Sequence, residues 1–182
     1  MNSLFVAFYN CTSGHDGNHD VVCVTVNEEK AYELLFKHMC KKNNILDETG
    51  SAEGKWRDRV DGLIGLLQAS NKMTYGTVSE YNDAYKSWMR DVYVVHYFDK
   101  WETETGKYSS GYCLGVFDSE SDACQLAVTK TLSKYTGFNQ GPTFTLTMTT
   151  WAAIHKSLMD QMQALTEYDH YLVFVSKHKI VL

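Results

Sequence analysis

The chain has 182 residues, enough for one ordinary domain or two small ones. Hydrophobic residues make up 44% and charged residues 21%, so the chain can bury a core and is not compositionally disordered. The formal net charge of −5 argues against a phosphate-backbone binder, which needs a clustered basic face.

The first predicted element is a strand over Leu4–Tyr9, followed by a polar stretch from Asn10 to Asp20 that carries Gly14 and Gly17. Val21–Val26 is a second strand, and the two read as a hairpin with a long loop. Asn27 is an N-cap with Glu28 and Glu29 behind it, and Ala31, Leu34, Leu35, His38 and Met39 continue at helical spacing. Farther on, Trp56, Val60, Leu63, Ile64 and Leu67 fall at i, i+4, i+7, i+8 and i+11, one apolar stripe on a helix over about residues 53–69. Gly62 and Gly65 each weaken that helix by about 1 kcal/mol relative to Ala, so it needs something to pack against. A weak strand over Met73–Val78 and a helix from Ser79 to Arg90 complete this half.

The second half repeats the order. Val92–Phe98 and Gly111–Phe117 read as strands, and Ser119 and Asp122 have capping-box spacing at the head of a helix. Thr143–Met148 alternates as a half-buried strand does, and Thr149 or Thr150 caps a helix to about Ala164. Asn27–Leu34 matches Ser119–Leu126, and Tyr85–Met89 matches His155–Met159. Asp169–Val175 resembles Asp91–Tyr97 and reads as the opening strand of a third copy. The expected fold is α+β: two tandem ββαβα units from an internal duplication plus a C-terminal strand, packed as one pseudo-symmetric body. The expected boundaries are residues 1–90 and 91–182. Because Ala31 and Ala123 lie 92 residues apart but Lys86 and Lys156 only 70, the first copy is expected to hold about 22 extra residues between Lys42 and Lys72, the stretch that carries the 53–69 helix.

Possible ligands crowd in one place. Cys11, His15 and His19 could supply zinc, while Asp16 and Asp20 with Asn18 resemble the start of a calcium loop. The calcium pattern breaks at Val21, where it needs glycine, and the matching loop of the second half has neither His nor Cys. No catalytic residue and no cofactor is assigned, because GxSxG, P-loop, GxGxxG and HExxH are all missing. Aromatic residues concentrate in the second hairpin, where Trp101 and Tyr108 join the stripe of Trp56, Val60, Leu63, Ile64 and Leu67 as expected protein-binding anchors. Only Lys100 and Lys107 accompany those aromatics, which makes nucleic acid an unlikely partner.

The run Tyr93–Val95, a polar hairpin, Leu114–Phe117 and then Ser119–Ala123 resembles small strand-strand-helix proteins of phages and large DNA viruses. The resemblance implies a virus-encoded accessory or particle protein and transfers no site residue. The expectation is a non-enzymatic protein-binding or assembly module, with homo-oligomerisation left open. The alternatives are a metal-dependent protein or enzyme using the Cys11–Asp20 loop, or a single-strand nucleic-acid binder using the aromatic hairpin. Five cysteines without a CxxC pair suit a reducing compartment. With no apolar run near the ~18 residues of a membrane span, no membrane partner and a cytoplasmic, soluble protein are expected.

Overall fold

The computed structural model describes residues 3–11, 18–46, 54–70, 72, 74–103, 106–135, 144–146, 149–165 and 170–182. The class is α+β, with six strands and four helices among the described residues. The chain divides into two units, one of residues 1–90 with 179–182, the other of residues 91–178.

Unit 1 runs β1 (Leu4–Cys11), β2 (Asn18–Thr25), α1 (Glu28–Lys42), α2 (Trp56–Ala69) and β3 (Thr74–Tyr81). The strand β1 is central, antiparallel to both β2 and β3. Its odd-numbered residues Ala7, Tyr9 and Cys11 point to the helices, as strand periodicity dictates, and join Leu35, Met39 and Val60 in the core. Asn27 begins α1 by accepting the Lys30 amide on its Oδ1 at 3.0 Å, with Glu28 and Glu29 in the positive first turn and Lys41 and Lys42 in the negative last one. No side chain caps α2. Burial of Val60, Leu63 and Leu67 holds it in place, at about 1.5–3 kcal/mol each, which exceeds the glycine penalties. Gly62 and Gly65 face outward with nothing near them, whereas a Cβ on Gly76 of β3 would sit 3.2 Å from Met39 Sδ.

Unit 2 runs β4 (Asp91–Thr103), β5 (Gly106–Phe117), α3 (Glu120–Tyr135), α4 (Trp151–Gln163) and β6 (His170–Val181), with β4 between β6 and β5. Ser119 Oγ caps α3 through the Asp122 amide at 3.4 Å, and Thr150 Oγ1 caps α4 through the Ala153 amide at 3.3 Å. Small residues Ala123 and Ala127 let α3 lie close on Val95 and Val173, while Leu158 and Met162 of α4 pack on Val128 and Tyr135.

Within the α+β class the element order differs from the expected ββαβα: both units are ββααβ. Ser79 is no cap. It lies inside β3, which pairs with β1 without interruption from Leu4↔Tyr81 to Cys11↔Thr74. Residues 82–90 then form turns rather than a helix, with Asp83 in the left-handed region at φ 57°. Of the expected strand over 143–148, Phe144–Leu146 are described and are not a strand. The Gln161 side-chain amide bonds both backbone groups of Thr145, at 3.0 and 3.1 Å, in place of a strand partner. The supposed third copy is β6, the closing strand of unit 2.

These assignments realign the duplication. The hairpin shifts register between Ala7 and Phe8 in unit 1 and between Val95 and His96 in unit 2. The caps Asn27 and Ser119 correspond, as do the tryptophans that open α2 and α4, Trp56 and Trp151. Leu63 then matches Leu158, Leu67 matches Met162, Gln68-Ala69 matches Gln163-Ala164, and Val78 matches Val173. The same alignment sets Ser3 Oγ on Asn82 Oδ1 at 3.1 Å against Asp91 on Lys177 at 3.1 Å, a polar pair in the same place in both units. The helix α2 is therefore the counterpart of α4, not an insertion.

Candidate functional site

The stripe expected to dock a partner is spent inside unit 1. Val60, Leu63 and Leu67 are 0, 5 and 4% exposed. Ile64 and Trp56 are half-buried on the same core, and Arg59 lies over the Trp56 ring at 4.2 Å. Trp101 and Tyr108 face each other in the β4–β5 register, and their side chains lie outside the described residues. Of the five metal-ligand candidates, His15 and Asp16 also lie outside the described residues. His19 sits in β2 opposite Asn10, its side chain likewise outside the description. Cys11 is buried, 3.7 Å from the Thr74 hydroxyl that donates to it. Asp20 takes His38 at 3.0 Å and Lys42 at 2.9 Å. Burial pushes its carboxyl up, but those two groups outweigh burial and hold it below its ordinary value. Among the described residues no three His, Cys, Asp or Glu side chains gather as a metal site would require.

A site-like feature among the described residues is a cleft of about 640 Å³ in unit 2, a volume within the usual range of ligand sites. Strands β4 and β6 contribute Tyr93, Val175 and Lys177, and α3 contributes Glu120 and Cys124. The first turns of α4, with its cap, supply Thr150, Ala152, Ala153, His155 and Lys156. His155 reaches β6, where its Nε2 lies 2.7 Å from the Val173 carbonyl oxygen. A carbonyl only accepts, so Nε2 carries the hydrogen, and in the neutral ring Nδ1 is left as an acceptor. The α4 amino end has no acidic residue in its first turn, so its partial positive charge is not offset there. Lys177 is held by Asp91, whose hydrogen bond and charge keep the ammonium above its ordinary pKa. Burial, and then the Glu120 charge, push the Cys124 thiol up. Cys124 is thus a weaker candidate nucleophile than an unperturbed cysteine.

No family model matches the chain, and searches of curated proteins and of solved structures return no match. Comparison of the two units supplies what relatives would. In unit 1 the place of Cys124 is taken by Tyr32 and that of Ala152 by Arg57, whose guanidinium lies 6.0 Å from the Tyr32 ring centre. Asp58 stands where unit 2 has Ala153, and the fully buried Val60 stands where it has His155. At the Cys124 position unit 1 therefore carries a buried tyrosine, where unit 2 has the smaller side chain that lines its cleft. The charge also shifts: Glu28, Asp58 and Asp61 against Arg57 become Glu120 against Lys156 and Lys177, the latter paired with Asp91. None of this has a motif. The usable signals are the matched caps Asn27 and Ser119, which set Tyr32 opposite Cys124, and the matched Trp56 and Trp151, which set Arg57 opposite Ala152.

Proposed function

We propose that the protein is a non-enzymatic protein-binding module and that the unit 2 cleft receives an acidic segment of its partner. The observation that carries this reading is the exchange between the two copies: a buried tyrosine among more carboxylates than cations in unit 1 becomes, in unit 2, a cleft lined by a cysteine, two alanines and two lysines, one of them paired with Asp91. Lys177 keeps Asp91 as a neighbour at 3.1 Å, yet an exposed pair of this kind is worth little and readily admits a second carboxylate. Carboxylates here would meet two lysines, the Thr150 hydroxyl and the amino end of α4, donors that suit an acidic peptide. The raised pKa of the buried Cys124 and the absence of a base hydrogen-bonded to it among the described residues favour binding over covalent chemistry.

Fluorescence polarisation with a labelled Glu-rich peptide tests the reading against a Lys-rich peptide of equal length. The acidic peptide is expected to bind more weakly as salt rises and to lose at least about tenfold in affinity in the Lys156→Glu, Lys177→Glu variant. Equal binding of the basic peptide, or an unchanged variant, overturns it.

A further inference from the structure

The two copies differ at this position by a whole aromatic ring, and the difference says what shape the guest has. Tyr32 of α1 and Cys124 of α3 occupy the same turn after matching caps, and both are buried, at 9 and 3% exposure. Around the Tyr32 hydroxyl in unit 1 stand Arg57, Glu28, Asp61 and Glu29, each near enough to influence its ionisation. The same positions in unit 2 hold Ala152, Glu120, Lys156 and Ser121. The lining there includes the apolar Cys124, Ala152, Ala153 and Val175 and one aromatic residue, Tyr93, with Lys177 Nζ 5.9 Å from its ring centre. Lys156 stands where unit 1 has an aspartate.

We infer that the segment entering the unit 2 cleft presents an aromatic side chain beside its carboxylate, the ring taking the volume that Tyr32 fills in unit 1 and the carboxylate meeting Lys156. The inference rests on the cleft being an acidic-segment site. A ring buried against this wall removes apolar area from water and stacks beside Tyr93, whereas a carboxylate alone leaves the inner wall wet. Unit 1 then shows the occupied state of the same scaffold, with its guest supplied by its own α1 and α2.

Chemical-shift titration of the full chain with three capped dipeptides tests this: Ac-Asp-Tyr-NH2, Ac-Asp-Ala-NH2 and Ac-Lys-Tyr-NH2. Ac-Asp-Tyr-NH2 is expected to bind at least about tenfold more tightly than Ac-Asp-Ala-NH2, the factor expected for burial of a ring, with shifts centred on α4 and β6. Rebuilding the unit 1 arrangement with Cys124→Tyr and Ala152→Arg is expected to abolish the shifts while the melting temperature holds or rises. Lys156→Asp, a surface change that leaves the wall intact, is expected to weaken Ac-Asp-Tyr-NH2 while sparing Ac-Lys-Tyr-NH2. If Ac-Asp-Ala-NH2 binds as tightly as Ac-Asp-Tyr-NH2, the aromatic inference falls and the acidic-segment reading survives. If Ac-Lys-Tyr-NH2 matches Ac-Asp-Tyr-NH2, or no dipeptide shifts α4, the acidic-segment reading falls with it.

Discussion

Two histidines set how the protein responds to acid. His38 of α1 is lowered from its ordinary pKa of 6.5 chiefly by burial. The Asp20 carboxylate pulls the other way, and Lys42 and Lys41 add to the lowering. Its ring also meets the Tyr9 ring edge-on at 5.3 Å. His178 of β6 is likewise lowered by burial, with the Ser176 hydroxyl 2.8 Å from its Nε2. In both cases the unfolded chain takes up a proton at a pH where the folded chain resists it. The stability they contribute is complete above about pH 6.5 and is lost as pH falls through their lower folded values. Asp20 behaves differently: its stabilisation is kept above the ordinary 3.8 and lost only below it. Melting temperature is therefore expected to be level from pH 8 to 7 and to decline from about 6.5 downward. His38→Gln combined with His178→Gln should flatten that decline while leaving the part below pH 4 in place. A double variant with an unaltered slope between pH 6.5 and 5 would show that other groups carry it.

The helix α2 shows how far periodicity carries a reading and where it stops. Its stripe, its weakness and its need for a packing partner follow from Trp56, Val60, Leu63, Leu67 and the two glycines. Periodicity gives the buried face of a helix but not what covers it, so the same stripe fits a docking surface or a core. The structure decides for the core: Leu63 packs in the cluster with Leu35 and Met39. Leu63→Ala is expected to cost about 2–5 kcal/mol in denaturant unfolding, the usual range for a core leucine; a loss under about 1 kcal/mol would return the stripe to the surface. The caps Asn27 and Ser119 were equally legible, since capping is local chemistry. The alignment of Lys86-Ser87-Trp88-Met89 with Lys156-Ser157-Leu158-Met159 misleads because identical letters sit in unlike conformations, a turn in one copy and α4 in the other. With that register the cleft has no counterpart to be compared with. Ala152, Ala153 and Cys124 carry no signal of their own, and they gain meaning only opposite Arg57, Asp58 and Tyr32.

The path of the chain ties the last residues to the first unit. Strand β6 serves unit 2 through His178, and its final residues Lys179–Val181 belong to unit 1. There Ile180 and Val181 pair in parallel with Val24 and Thr25 of β2, and the Ile180 amide donates to the Arg90 carbonyl at 2.9 Å. These pairings join residues far apart in sequence, and closing so long a loop carries an entropic cost. Deleting residues 179–182 removes those rungs and leaves the backbone groups of Val24 and Thr25, both fully buried, without partners on that side. Unsatisfied buried groups cost about 1–3 kcal/mol each. Hydrogen exchange of the truncated chain is expected to be at least about tenfold faster at the β2 amides, with the β4–β5 amides near their original rates, because β4 and β5 pair with each other over eleven positions that the deletion does not touch. Uniform acceleration across both hairpins would instead make the whole chain one cooperative unit, and unchanged β2 exchange would show that the terminal rungs contribute nothing to unit 1.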